Sequence, residues 1–213
     1  VIDPYYDNYY SNYLYLNGNV QTNASIFLTY WKRLYEGVSR ANEIIGNIGT
    51  VPDMSDELKA RRIAECKFIR AYHYYKLNAL WGGVAIYKEN LAPEEYNKPR
   101  ATAEQVWDFI IEDLTDCINC ESLPDIYASS SSDFGRITKG AAYALRGKVY
   151  MWKEMWVEAE ADLKKVTELG YELLNKPYAD VFKLANETSK EMIFSARMVE
   201  LSGWGNAFSR SYG

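Results

Sequence analysis

From Ser25 onward apolar residues recur at three- and four-residue spacing, and Phe27, Leu28, Trp31, Leu34, Tyr35, Val38, Ala41, Ile44 and Ile45 mark one helical face. That helix should stop near Gly46 to Gly49. A second helix opens after Pro52 with Ser55 as its cap. It runs through Ala64, Phe68, Ala71, Tyr75 and Leu77, and Gly82 and Gly83 end it. A long connection follows, with a short strand expected at 84–87. Thr102 and Gln105 have the spacing of a capping box, and Val106, Phe109, Ile110 and Leu114 carry a third helix to about Cys120. Pro124 and the tract SSSSDFG predict a flexible loop. A fourth helix is expected from about Thr138 to Lys153 and a fifth from about Val157 to Leu169, closed by Gly170. Beyond it, YELL and EMIFSARM have the short, apolar character of strands.

The pattern therefore predicts a mainly α fold, a tetratricopeptide-like helical-repeat scaffold with long irregular loops and a few short strands. Its repeat signature lies in the last helical pair, where Gly147, Tyr150, Ala159 and Leu163 follow the G-x2-Y…A-x3-F spacing with Leu at the aromatic position. Small residues at Gly147 and Ala159 let two helices approach closely, and Tyr150 and Leu163 fill the space between them. Three segments follow: an aromatic loop segment at 1–24, the helical-repeat domain at 25–170, and the start of a mixed C-terminal region at 171–213. Both ends are expected to be cut, with any signal peptide or lipid-bearing cysteine lying upstream.

Composition narrows the function classes. At 213 residues, 48% hydrophobic and 25% charged, the chain can bury a core without covalent staples. A net charge of −5 leaves no broad basic surface for a phosphate backbone, so nucleic acid is not an expected partner. No apolar run approaches the roughly 18–20 residues that cross a bilayer. Cys66, Cys117 and Cys120 are odd in number and widely spread, which argues against a disulfide framework. Cys117 and Cys120 spell C-x-x-C but lack the second cysteine or histidine pair that a zinc site needs, and no metal ligands or cofactor motif are assigned. The one histidine, His73, sits inside a helix with no carboxylate within four residues to orient it. Glu94 with Glu95, and Glu112 with Asp113, are adjacent and point to different faces. A glycosidase pair formed across the fold stays open as a reading.

Four blocks in order resemble one family. The run YWKRLYEGVSRANEIIGNI, at 30–48, resembles the W-x2-L-Y…AN-x-I-I helix of SusD/RagB proteins. At 64–87, AECKFIRAYHYYKLNALWGGVAIY resembles their E-x2-F-x-RA-x2-Y…GGVP block, with Ala85 where proline is usual. At 99–124 and 135–173, PRATAEQVWDFIIEDLTDCINCESLP and GRITKGAAYALRGKVYMWKEMWVEAEADLKKVTELGYEL resemble the two segments that follow in the family. The aromatic segment at the N-terminus falls outside this resemblance. The resemblance implies a surface-exposed lipoprotein of the outer membrane, anchored by an upstream lipid. It would lid a TonB-dependent (SusC-like) transporter partner and hold an oligosaccharide, or in some members a peptide, between the two, with no catalysis and no cofactor.

The chain has 19 Tyr and 6 Trp against 7 Phe, a bias toward rings with a polar handle. Six tyrosines crowd residues 5–15, interleaved with Asn8 and Asn12. A sugar stacks its C–H face on an exposed ring while amides and hydroxyls bond its hydroxyl groups. Tyr6, Tyr9, Tyr10, Asn12 and Tyr13, with Trp204 in the later loop SGWGNAF, are the expected ligand-binding residues. The alternative is that these rings pack the loop against the helices. Trp31, Phe68, Tyr72, Tyr75, Trp81, Trp107 and Trp152 fall on helical faces and are expected in the core. Arg70, Arg136 and Lys139 are expected to satisfy carbonyls at helix ends. Glycan binding is thus the leading reading, and a peptide- or protein-binding helical-repeat scaffold is the alternative.

Overall fold

The computed structural model describes residues 25–195. The chain divides into two compact units, Val1–Arg33 with Ala196–Gly213, and Leu34–Ser195. Of the first unit only residues 25–33, the opening turns of a helix, are described.

Five α-helices carry the described chain: α1 (Ser25–Asn47), α2 (Asp56–Trp81), α3 (Ala103–Asn119), α4 (Lys139–Trp152) and α5 (Trp156–Glu168). Their starts are set by local chemistry. The Ser55 side chain accepts from the Leu58 amide to begin α2, and Thr102 and Gln105 form the reciprocal capping box of α3. Thr138 accepts from the Ala141 amide to begin α4. Gly82, at φ 71°, ends α2, because its left-handed backbone is a conformation that side chains resist. Arg100 then donates to the carbonyls of Trp81 and Gly83, each at 2.7 Å, and satisfies acceptors that the helix end leaves open.

In the larger unit α2 packs along α3, α3 against α4, and α4 against α5. Phe68, Ala71, Tyr74, Leu77, Val106, Ile110, Leu114, Leu123 and Val149 are the buried centre of this stack. The α4–α5 pair shows the tetratricopeptide-like packing expected from its spacing. A Cβ added at Gly147 would stand 2.9 Å from Cγ of Leu163, so only glycine admits the partner helix at this distance. Ala159 is buried beside it, while Leu163 keeps part of its surface exposed. The turn between the two helices is closed by Glu154 at φ 58° and by the Met155 amide on the Tyr150 carbonyl.

Two expectations change. The described residues contain no strand, neither at 84–87 nor at 171–174. Residues 84–88 are extended but are held by side chains. Tyr35 Oη donates to the Ala85 carbonyl at 2.9 Å, and Asn42 Nδ2 donates to the Tyr87 carbonyl at 3.0 Å. The Tyr87 amide donates to Tyr74 Oη at 2.7 Å. With these groups already paired, no neighbouring strand is needed to satisfy the segment.

The second change concerns the aromatic core. Phe68, Tyr75 and Trp107 are buried as expected, and Trp31, Tyr72 and Trp81 are partly covered. Trp152 is 54% exposed. It stands on the last turn of α4, with its ring stacked at 6.0 Å on Trp107 and its Nε1 donating to Tyr75 Oη. One face has a partner inside the protein, and the rest of the ring is exposed.

Candidate functional site

The residues expected to bind ligand, Tyr6, Tyr9, Tyr10, Asn12, Tyr13 and Trp204, lie outside the described residues. What is described is the frame and its cavities, among them one beside the start of α4.

The frame's buried charges, Glu65, Arg70, Asp113 and Asp162, are paired internally. Arg70, on α2, makes a two-pronged bond to Asp113 on α3, with Nε–Oδ2 at 2.8 Å and Nη2–Oδ1 at 2.7 Å. Its remaining donor reaches both Asn42 Oδ1 and the Lys88 carbonyl, so one guanidinium joins α1, α2, α3 and the 84–88 segment. Arg146 on α4 pairs in the same two-pronged way with Asp162 on α5 and also donates to Thr115 Oγ1 on α3. Arg136 grips both oxygens of Glu65, which also accepts from Arg62. Arg70 and Arg136 are therefore structural, but their chief partners are carboxylates, not the helix-end carbonyls expected; Arg100 takes that role. Lys139 likewise lies 4.0 Å from the Asp125 carboxylate.

The groups that could have suggested chemistry are equally committed. His73 Nδ1 lies 2.7 Å from the Ile69 carbonyl, which fixes the proton on that nitrogen. The other edge of the ring fills the space where Gly37 has no side chain. The Cys117 thiol donates to the Ala64 carbonyl at 3.0 Å, and burial, followed by the nearby Asp113 charge, pushes its pKa far above the usual thiol range.

The cavity, about 460 Å³, lies between the loop 126–138 and residues 169–193. The serine-rich tract expected to be a flexible loop is organised by turns: Ser131 N to the Ala128 carbonyl, Phe134 N to Ser131, and Arg136 N to Asp133. Its preceding residues fold onto α4, where the Lys139 and Gly140 amides donate to the carbonyls of Pro124 and Asp125. The opposite wall is tied to itself by Glu172 N on the Lys190 carbonyl and Leu174 N on the Glu191 carboxylate. Tyr171 stands between the walls. Its hydroxyl meets Thr138 Oγ1 at 2.8 Å, and a Cβ at position 140 would fall 2.2 Å from its ring. Gly140 is therefore what lets the phenol lie flat against the start of α4.

The lining is largely apolar, with Ile126, Leu169, Met192 and Ile193 beside the rings of Tyr127, Phe134 and Tyr171, and hydroxyl residues are set among them. The two lining cations are already paired, Arg136 with Glu65 and Lys190 with Glu172. Tyr127 Oη and Ser189 Oγ are sealed from solvent and from the cavity space and have no hydrogen-bond partner among the described residues. Each such orphan costs about 1–3 kcal/mol unless something meets it. Burial, then the charges of Asp133 and Glu65, raises the Tyr127 pKa, so the phenol keeps its proton and remains a donor. The arrangement offers ring faces with uncharged donors and acceptors.

A SusD-like family model, described as "Starch-binding associating with outer membrane", matches residues 4–151. The chain belongs to the SusD-like family. That match begins at residue 4, so the tyrosine-rich segment that had fallen outside the resemblance is part of the family region. The chain is 32% identical over 169 residues to SusD-like protein P25 of Formosa agariphila, covering 78% of this chain and 31% of that protein. Among solved structures, a laminarin binding SusD-like protein is similar at TM-score 0.76 and 32% identity, covering 83% of this chain and 40% of that one. Surface glycan-binding protein A from Bacteroides thetaiotaomicron in complex with laminarihexaose is similar at TM-score 0.66 and 27% identity, covering 78% and 34%. The chain spans about a third of the length of the curated relatives it matches. No helix among the described residues is long and apolar enough to cross a membrane.

Proposed function

We propose that this chain is part of a glycan-capture protein of the outer membrane that holds an uncharged oligosaccharide without cleaving it and passes it to a TonB-dependent transporter. Membership of the SusD-like family across residues 4–151 carries this reading. The helical frame supports it, since Arg70, Arg136 and Arg146 are paired with carboxylates of the frame, and His73 and Cys117 are bonded to its carbonyls. The proposed capture residues are Tyr6, Tyr9, Tyr10, Asn12, Tyr13 and Trp204, with the rings stacking on sugar faces and Asn12 bonding hydroxyl groups. Attachment to the membrane would come from a lipid upstream of the chain.

The test is affinity electrophoresis of the full-length protein in native gels containing laminarin, starch or other neutral polysaccharides, alongside a reducing-end assay. Retardation by at least one polysaccharide with no release of reducing ends is expected. Retardation by none overturns the capture reading, and release of reducing ends overturns binding without turnover. A Tyr9→Ala, Tyr10→Ala, Tyr13→Ala variant should lose most retardation; unaltered retardation removes those residues as the site.

A further inference from the structure

We propose that the apolar surface displayed by residues 173–184 is an internal docking surface, covered in the full-length protein by the polypeptide that follows residue 213. Leu173, Tyr178, Phe182 and Leu184 are each 72–83% exposed. Single exposed residues of this kind are ordinary, but four large ones crowded into one short segment are what a folded protein normally covers. Nor is the segment loose. Before it, Tyr171 is seated against Thr138 and Gly140, and after it Phe194 packs on the Phe68 ring at 5.2 Å. Between these anchors the buried Asn186 donates from Nδ2 to the Asp180 carbonyl at 2.7 Å and accepts from Lys176 through Oδ1. A polar side chain is thus turned inward and the large apolar ones outward, the reverse of a segment built to face water.

Three observations select the occupant. The chain spans about a third of the length of its curated relatives, so the full-length protein has far more polypeptide to seat against this frame. The surface lies close in sequence to Gly213, which makes docking of the following segment intramolecular and favours it by effective concentration. Its composition also fits a permanent contact: two of the four residues are leucines and residues 171–195 contain no arginine, as in a core cut in half, whereas transient interfaces lean on aromatic residues and arginine. A lipid surface is disfavoured, because Lys183 is paired with Asp180 and Lys190 with Glu172, which leaves no free basic rim there for anionic headgroups.

The experiment uses the purified full-length protein and two readouts. Hydroxyl-radical footprinting compares the native protein with the same protein unfolded in urea. Tyr178 and Phe182 should be oxidised roughly tenfold more slowly in the native state, as expected of rings packed at interior density, and slowing below about threefold overturns the proposal. The second readout identifies the occupant. Phe182 is replaced by photoreactive p-benzoylphenylalanine, and a mixture of ¹⁵N-labelled and unlabelled copies is irradiated. Cross-links should join position 182 to peptides beyond residue 213, labelled to labelled and unlabelled to unlabelled. Cross-links confined to other parts of the same chain, cross-links of mixed label that report a second copy, or no cross-link beyond residue 213 overturn it. Leu184→Asp should lower the urea midpoint of the full-length protein; an unmoved midpoint means that the surface faces water, and it overturns the proposal too. Retardation on polysaccharide gels is read separately, so failure here leaves glycan capture standing.

Discussion

The seam between α2 and α3 and the cavity beside α4 are built from similar residues and treat their polar groups in opposite ways. At the seam, a buried guanidinium is met on every side by Asp113, Asn42 and the Lys88 carbonyl, and Tyr74 places its hydroxyl on the 84–88 backbone. Asn78 Oδ1 is the one described exception among the helices. At the cavity, two hydroxyls are buried with no protein acceptor or donor. The difference separates a region whose buried polar groups are nearly all paired from one that carries an uncompensated cost, since a buried polar group is costly until something pairs with it.

Four substitutions, the first also combined with Arg70→Met, break or sharpen that contrast. The largest effect is expected from Asp113→Ala, which leaves Arg70 buried without its counterion and should cost about 3–5 kcal/mol in urea-induced unfolding. Adding Arg70→Met to that variant should recover part of the loss, because the stranded charge is gone. Gly140→Ala comes next. Its new methyl displaces the Tyr171 ring, and about 1–3 kcal/mol should be lost, together with the Tyr171–Thr138 contact, which ring NMR shifts would report.

The smallest effects form a matched pair. Tyr74→Phe strips the Tyr87 amide of its acceptor and should cost about 1 kcal/mol, whereas Tyr127→Phe removes an orphaned buried hydroxyl and should stabilise the protein, by up to about 1–3 kcal/mol. Thermal unfolding of the two variants side by side checks this. Equal losses would dissolve the distinction between the two regions.

The helices were legible because their signals are local. Ser55, Thr102 with Gln105, and Gly82 act within one turn, and apolar spacing exposes a helix face directly. The close approach at Gly147 was legible for a similar reason, being written in a spacing that spans one helical hairpin. Pairings over long separations were not. Nothing near Arg70 in sequence points to Asp113, nor anything near Arg136 to Glu65, and both arginines were expected on helix-end carbonyls. Asn42 belonged to the AN-x-I-I motif, yet only the fold shows that it holds both Arg70 and Tyr87.

The 84–87 segment looked like a strand because Val84, Ile86 and Tyr87 favour extended backbone, and it is extended. Whether a ladder forms depends on a neighbour, and here side chains occupy that place. Trp152 misled for a complementary reason: periodicity gives the face of a helix but not where its neighbours end. The cavity was illegible because Tyr127 sat in a serine-rich stretch and Ser189 beside an expected strand, with no shared pattern.

The excursion between Val84 and Ala101 is closed at its base, where the Ala101 amide donates to the Val84 carbonyl and Arg100 fastens the chain to the end of α2. A stretch clamped at both feet can be lengthened or exchanged at small entropic penalty without shifting the helices on either side. Its exposed middle, residues 89–99, thus behaves as an interchangeable tip on a fixed handle, a place where new specificity could be grafted while the rest of the molecule keeps its register.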